Sequence, residues 1–512
     1  MNKEQILWAD DEIDLLKPHI LFLQNKGYEV TTVTNGRDAL DAISQQNFHL
    51  IILDENMPGI SGLEALQQIK IAQPNVPVIM ITKSEEENIM NQAIGSEIAD
   101  YLIKPVNPMQ ILLSIKKNLH SEALVAQKAT SDYQQEFMSI SQQIAMARTI
   151  DDWYQLYNTL VRWELTLSNA ETGMADMLRM QKLEANSAFA KMVKRNYEKW
   201  VTTDDHPLMS NEIFKTQIFP HIDAGEKVCF IVIDNFRLDQ WRTISPLLND
   251  YFNIEKEELY TTILPTATQY ARNAIFSGLM PIDIERMFPE LWVDEDEDEG
   301  KNLNEAPLIQ TILDRYRRKC KFSYNKLNDS AAGERLVQHF AQLKNFDLNV
   351  IVFNFVDILS HARTESKMIR ELAYTDEAYR SLTVTWFKNS YVLEIFKRIA
   401  EQGWKIVLTT DHGTTRVDNA IKVIGDKNTN TNLRYKVGKN LSYNPRQVYE
   451  IKQPKRFGLP LLNVSSTYIF ASGRDFFAYP NNYNHYVQYY NDTFQHGGIS
   501  MEEMLVPLIT LT

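Results

Sequence analysis

Five apolar runs in this 512-residue chain close on an aspartate: QILWAD at Asp10, FHLIILD at Asp54, VCFIVID at Asp234, VIVFNFVD at Asp357 and KIVLTTD at Asp411. A strand that stays apolar along its length is covered on both faces, so only its carboxyl end is free to meet a ligand. The pattern therefore asks for parallel α/β sheets that gather acids at one edge. Carboxylates gathered in this way repel one another unless a cation neutralises them.

In residues 1–120 the strands QILWAD, EVTTVT, FHLIILD, PVIMIT and ADYLIKP alternate with helical segments, which predicts a doubly wound sheet. Asp10 and Asp11 follow the first strand, Asp54 closes the third, Thr82 closes the fourth, and Lys104 follows the fifth before Pro105. Three converging carboxylates suit Mg²⁺, with Lys104 as a point charge for phosphate and Thr82 as a hydroxyl partner.

At 512 residues the chain is too long for one core, and about three domains are expected. A net charge of −13 argues against a general duplex nucleic-acid binder, so an anionic substrate needs a local basic site. The first residues lack a signal-peptide core and no run is long enough to span a membrane, which points to the cytoplasm. Cys229 and Cys320 are too few for a disulfide framework and are expected to be inert core thiols.

Residues 121–205 contain no proline and one glycine, with apolar residues at helical spacing such as Trp153, Leu156, Tyr157, Leu160 and Val161. A bundle of three or four helices is predicted, broken at Ser168 and Gly173 and ending at Thr202 to Pro207. The segment has no catalytic cluster and no basic recognition helix.

In residues 206–512 the acids bring histidines. Asp357 is followed at i+4 by His361, Asp411 directly by His412, and His496 precedes two glycines. Three Asp and three His are enough oxygen and nitrogen ligands for two zinc ions. Thr266 and Thr268 stand between a strand and a helix, where either supplies a hydroxyl nucleophile or an N-cap. From Lys422 to Arg456 nine Lys or Arg face two acids, a basic patch suited to a polyanion. From Phe476 to Phe494, Tyr483, His485, Tyr486, Tyr489 and Tyr490 are candidates for lid packing or base stacking. The run DEDEDE from Asp294 is expected to be a solvated loop.

The pattern of Asp10-Asp11, D-E-N-M-P-G from Asp54, Thr82 and Y-L-I-K-P from Tyr101 resembles a receiver domain of two-component signalling. The resemblance implies a CheY-like fold in which Asp54 accepts phosphate. Asp10, Asp11, Asp54 and the Asn56 carbonyl would hold Mg²⁺, with Thr82 and Tyr101 as the switch pair beside Lys104. The motifs D-x-x-R-x-D from Asp234, T-x-T, D-x-x-x-H, T-D-H-G and H-G-G-x-S-x-E-E resemble the PglZ branch of the alkaline phosphatase superfamily. That implies one zinc on Asp357, His361 and His496, another on Asp234, Asp411 and His412, Thr268 bridging them as nucleophile, and Arg272 beside it.

Receiver (1–120), helical bundle (121–205) and PglZ domain (206–512) together resemble the PorX-type response regulators tied to type IX secretion and gliding. The resemblance implies a sensor histidine kinase, and contacts with a secretion motor protein or a sigma factor. The expected activity is zinc-dependent phosphodiester hydrolysis on linear or cyclic oligonucleotides, under control of a phosphorylation-promoted homodimer. The alternative is a non-catalytic scaffold with a structural zinc domain.

Overall fold

The computed structural model describes residues 3–83, 87–168, 172–294, 302–425, 429–462 and 465–512. The acidic run after Asp294, and Lys427 of the basic stretch, lie outside them. The chain divides into two compact units, Met1–Ser131 and Asp132–Thr512.

In the first unit β1 (Gln5–Ala9), β2 (Glu29–Val33), β3 (Leu50–Asp54), β4 (Val78–Thr82) and β5 (Asp100–Ile103) form one parallel sheet, ordered β2-β1-β3-β4-β5. Strand alternation sorts the side chains between two cores. Leu7, Ala9, Ile51 and Leu53 pack with Ala39, Ala65, Leu66 and Ile69 on one face, and Ile6, Trp8, Leu50 and Ile52 with Leu23, Ile111 and Ile115 on the other. Helix Gly62–Ala72 starts at a capping box between Ser61 and Glu64, a cap worth about 1 kcal/mol. A Cβ on Gly62 would collide with the Asp54 carbonyl, so only glycine lets this helix start against the end of β3.

The second unit holds most of the helical block and the C-terminal sheet. Helix Ile150–Thr166 is capped by Thr149 and Asp152 and buries Trp153, Leu156, Tyr157, Leu160 and Val161, the face its periodicity predicts. Helix Thr172–Thr202 follows, and Gly173 is its second residue rather than a break, because a glycine in the first turn costs little where no side-chain packing is at stake. These helices pack on the C-terminal part. The Tyr154 and Thr261 hydroxyls lie 2.8 Å apart, and the Tyr197 hydroxyl accepts the Leu264 N–H at 2.7 Å.

The central sheet consists of β6 (Val228–Ile233), β7 (Ile254–Thr261), β8 (Phe322–Leu327), β9 (Leu348–Phe353), β10 (Lys405–Thr409) and β11 (Leu505–Leu511). Its order is β7-β11-β10-β6-β9-β8. Strands β8, β9, β6 and β10 run parallel, as the aspartate-ended runs require, while β11 is antiparallel to both β10 and β7. The mixed edge arises because β11 enters the sheet from the ligand edge, directly after helix Met501–Met504. Among the described residues no helix is long and apolar enough to cross a membrane.

Candidate functional site

The first cluster lies at the carboxyl edge of the five-stranded sheet. Asp10 and Asp54 are buried, Asp11 is exposed, and one carboxylate oxygen from each lies within 4.8 Å of the others. Lys104 Nζ donates to Asp10 Oδ2 at 2.8 Å and to Asp54 Oδ2 at 2.9 Å. The Asp54 Oδ1 atom is buried without a hydrogen-bond partner, and an acceptor so placed fits a cation or an incoming phosphoryl group. Burial pushes the Asp54 carboxyl up, ahead of the opposing pull of Lys104, and the Asn56 N–H reaches the same carboxylate. Thr82 is buried at the end of β4, and the half-buried Tyr101 packs on the core below it.

The second site is built where β6, β9 and β10 end. Asp234 follows β6 directly, whereas Asp411 lies two residues past β10 and Asp357 sits in the first turn of helix Phe355–Glu365. Asp357 is thus not a strand-end residue: β9 stops at Phe353, and the turn at Asn354 starts the helix that brings His361 round to the same face. Two groups result, Asp357 with His361 and His496, and Asp234 with Asp411 and His412, each with its ligand atoms within 4.8 Å. They adjoin one another, since the His412 and His496 rings stack with centroids 4.2 Å apart.

The donor set fits metal binding. Asp234 Oδ1 and Asp411 Oδ2 are buried without hydrogen-bond partners, a costly arrangement unless a cation occupies the space between them. His412 Nδ1 lies 3.1 Å from the Gly413 carbonyl and His496 Nδ1 lies 3.2 Å from the Thr266 carbonyl. A carbonyl only accepts, so Nδ1 carries the proton in both rings and Nε2 presents its lone pair to the site. Burial holds the His412 and His496 imidazoles below their ordinary range, His496 at about 4, which keeps them neutral. Burial, with Asp234 beside it, pushes the Asp411 carboxyl up, while at Asp234 the Arg272 and histidine charges outweigh burial and hold it down.

Thr268 is the first residue of helix Thr268–Ser277, capped by Ala267, and its Oγ1 lies 3.1 Å from His412 Nε2. Thr266 does something else: its hydroxyl donates to the Gly498 carbonyl and accepts the Gly497 N–H, both at 2.9 Å, so it braces the His496 loop. Arg272 is 1% exposed and spent on Asp234 at 2.8 Å and Glu305 at 2.6 Å. Arg237 is likewise paired with Asp239 at 2.7 Å and Asp376 at 3.3 Å.

Asn235 is a residue that the sequence pattern passed over. At φ 62° it occupies the left-handed region that asparagine tolerates better than most residues. This turns its amide to donate to Asp357 Oδ1 at 3.1 Å and Ser360 Oγ at 3.0 Å, while its backbone N–H lies 3.5 Å from Asp411 Oδ1. An Asp-Asn pair at a strand end was the available signal.

The basic stretch is partly buried and partly exposed. Arg434 is buried on Glu503, Lys436 is 1% exposed with Nζ donating to the Asn430 carbonyl, and Arg456 pairs with Glu198. Lys422, Lys439, Arg446, Lys452, Lys455 and Arg456 itself are exposed. Phe476 and Phe494 are core residues, whereas helix Tyr483–Tyr490 buries none of its side chains and stacks His485 on Tyr489. Cys229 is buried, but Cys320 is only half-buried, its thiol pushed up to about 11 by burial.

Comparison with known proteins agrees with this geometry. Residues 213–511 match the family model of the BREX system PglZ alkaline phosphatase-like domain, more than half of the chain. The chain belongs to the PglZ alkaline phosphatase-like family. Residues 123–201 match the PorX response regulator linker domain and residues 6–116 the response regulator receiver domain, so the whole has the composition of a PorX-type response regulator. The transcriptional regulatory protein ResD of Bacillus subtilis (strain 168) is 32% identical over 115 residues, 22% of this chain and 48% of its own. The regulatory protein YkoG of the same organism is 34% identical over 121 residues, 23% of this chain and 52% of its own. The chain spans about half the length of these curated relatives. The CheY-like receiver domain protein from Methanospirillum hungatei JF-1 is 28% identical, with a TM-score of 0.23 over 23% of this chain and 96% of that one. A receiver takes its phosphoryl group from a cognate sensor kinase, and the PglZ domain is of phosphoesterase type.

Proposed function

We propose that phosphorylation of Asp54 controls a two-zinc phosphodiesterase in the C-terminal domain, with Asp357, His361 and His496 holding one ion and Asp234, Asp411 and His412 the other. The observation that carries this reading is the gathering of unpartnered buried carboxylate oxygens and imidazoles into two adjoining groups, with the Thr268 hydroxyl 3.1 Å from His412 Nε2. Zinc, when bound, acts as a Lewis acid on a phosphoryl oxygen and lowers the pKa of a coordinated hydroxyl. The protein's part is to place Thr268 as nucleophile at a helix N-terminus, whose free amides face the phosphate. Arg272 holds Asp234 in place rather than meeting the substrate.

The Arg272 and Arg237 guanidiniums are both spent on carboxylates, which leaves neither to clamp the third oxygen of a monoester dianion. A diester carries a single negative charge, and it is the substrate class this site suits. Linear or cyclic oligonucleotides are the first choice, held by Lys439, Arg446 and the helix Tyr483–Tyr490. In a panel of chromogenic esters with added zinc, diesters are expected to turn over at least about tenfold faster than monoesters. Faster cleavage of every monoester tried sinks the diester assignment.

The cellular reading is regulation of type IX secretion and gliding from the cytoplasm, through a secretion motor protein or a sigma factor. Phosphorylation acts by promoting a homodimer. A small phosphodonor with Mg²⁺ is expected to label the wild type and shift its sedimentation towards the dimer, while Asp54→Ala takes no label and does not shift. Undiminished labelling of Asp54→Ala ends the assignment of Asp54. An unchanged mass distribution in the labelled wild type ends the dimer mechanism.

A further inference from the structure

Both ligand loops lean on one short helix, Met501–Met504. Its Glu503 holds the His496 loop from inside: Oε1 accepts the Gly498 N–H at 2.9 Å, Oε2 accepts the Ser500 hydroxyl at 2.7 Å, and Arg434 donates to both oxygens. The backbone of the same helix receives the other loop. The Glu503 carbonyl accepts the Gly413 N–H at 3.1 Å, and a Cβ on Gly413 would collide with the Glu502 carbonyl. His412 is the residue before that glycine.

The outer side of this helix is held by the linker. Asn186, on helix Thr172–Thr202 and 3% exposed, accepts the Met501 N–H at 2.8 Å and donates to Glu502 Oε2 at 2.9 Å. One turn earlier Lys182 lies 3.3 Å from Glu502 Oε1 and 2.6 Å from Glu164 Oε2, which ties the two linker helices to the same carboxylate. Nothing else in the linker reaches so close to the ligand loops among the contacts described.

We infer that helix Thr172–Thr202 is a positioning element for the metal centre, acting through Asn186 and Lys182 on Met501–Glu502 and so on the loops that carry His412 and His496. The inference rests on the two-zinc reading and adds its regulation. Ligands keep their affinity only while the groups behind them keep their orientation, and loss of such a partner typically costs 10-fold to 100-fold in metal binding. Any displacement of the linker helix is thereby converted into looser zinc, with no contact to Thr268 required. Asn186 and Lys182 are positioning residues.

The test is a charge-preserving swap in the full-length chain. Asn186→Asp keeps the acceptor for the Met501 N–H but sets a second carboxylate against Glu502. The double variant Asn186→Asp with Glu502→Gln restores donor and acceptor with the original number of charges beside Lys182. Zinc release to a chromogenic chelator is expected to be about tenfold faster or more in the single variant and to return to the wild-type rate in the double. Release at the wild-type rate from the single variant overturns the inference, as does a folded double variant that shows no recovery. Should Asn186→Asp fail to fold, Lys182→Gln leaves both Asn186 hydrogen bonds standing and is held to the same tenfold expectation. A wild-type chain that binds no zinc overturns the metal reading itself, and is told apart because it appears before any substitution.

Discussion

Thr268→Val is expected to lower turnover of a phosphodiester by about 10³-fold or more while zinc content stays that of the wild type. Valine keeps the branched shape and the helix start, and removes only the oxygen that lies 3.1 Å from His412 Nε2. The six Asp and His ligands stand on other elements and do not depend on this hydroxyl. Turnover and zinc content, measured on one preparation, separate the two roles. A variant that retains both its zinc and its rate shows that the nucleophile is another group. A loss of zinc along with rate would make Thr268 a ligand first.

His361→Ala is expected to reduce zinc from about two ions per chain to about one and to bring hydrolysis to background. The side chain is 59% exposed, so its removal changes folding stability by no more than about 0.5 kcal/mol, and loss of metal is not loss of fold. Adding His412→Ala strips the second group, at the further cost of a cavity, because His412 is fully buried. Metal analysis after dialysis gives the result. A stoichiometry unchanged in the double variant removes these residues from the ligand set.

The residues that end strands were the legible part of this protein. An apolar run closing on aspartate marks a buried strand and the edge where its acid emerges, so the gathering of acids at two sheet edges was legible from period and position, while their division into two ligand groups came from the resemblance to the PglZ branch. Asn235 was invisible in that pattern because its role depends on a left-handed backbone that turns its side-chain amide towards the Asp357 carboxylate and the Ser360 hydroxyl. Lys436 and Arg434 read as a surface patch because charge carries no label of burial, and only tertiary packing shows that their heads meet a carbonyl and a carboxylate inside. Arg272 is the same lesson at the site itself: proximity in the chain placed it near Thr268, and Glu305, distant in sequence, decides where its guanidinium goes. Asp357 was misplaced as a strand end: β9 stops at Phe353, and Asp357 lies in the first turn of the helix that follows.

The place of β11 in its sheet has a consequence for how the chain reaches this state. Among the described residues β7 pairs along its length with β11, beside a single bridge between Thr261 and Met209, and the inner edge of β10 is covered by that same strand. Until Leu505–Leu511 arrives, two strand edges stand open, and a strand edge with free N–H and C=O groups is a template for association with other chains. The pairing is long-range in sequence, so loop entropy is lost before pairing returns it, a circumstance that slows folding in general. The segment that completes the sheet directly follows the Met501–Met504 support of both histidine loops, so the sheet edge and the ligand loops depend on one stretch of chain.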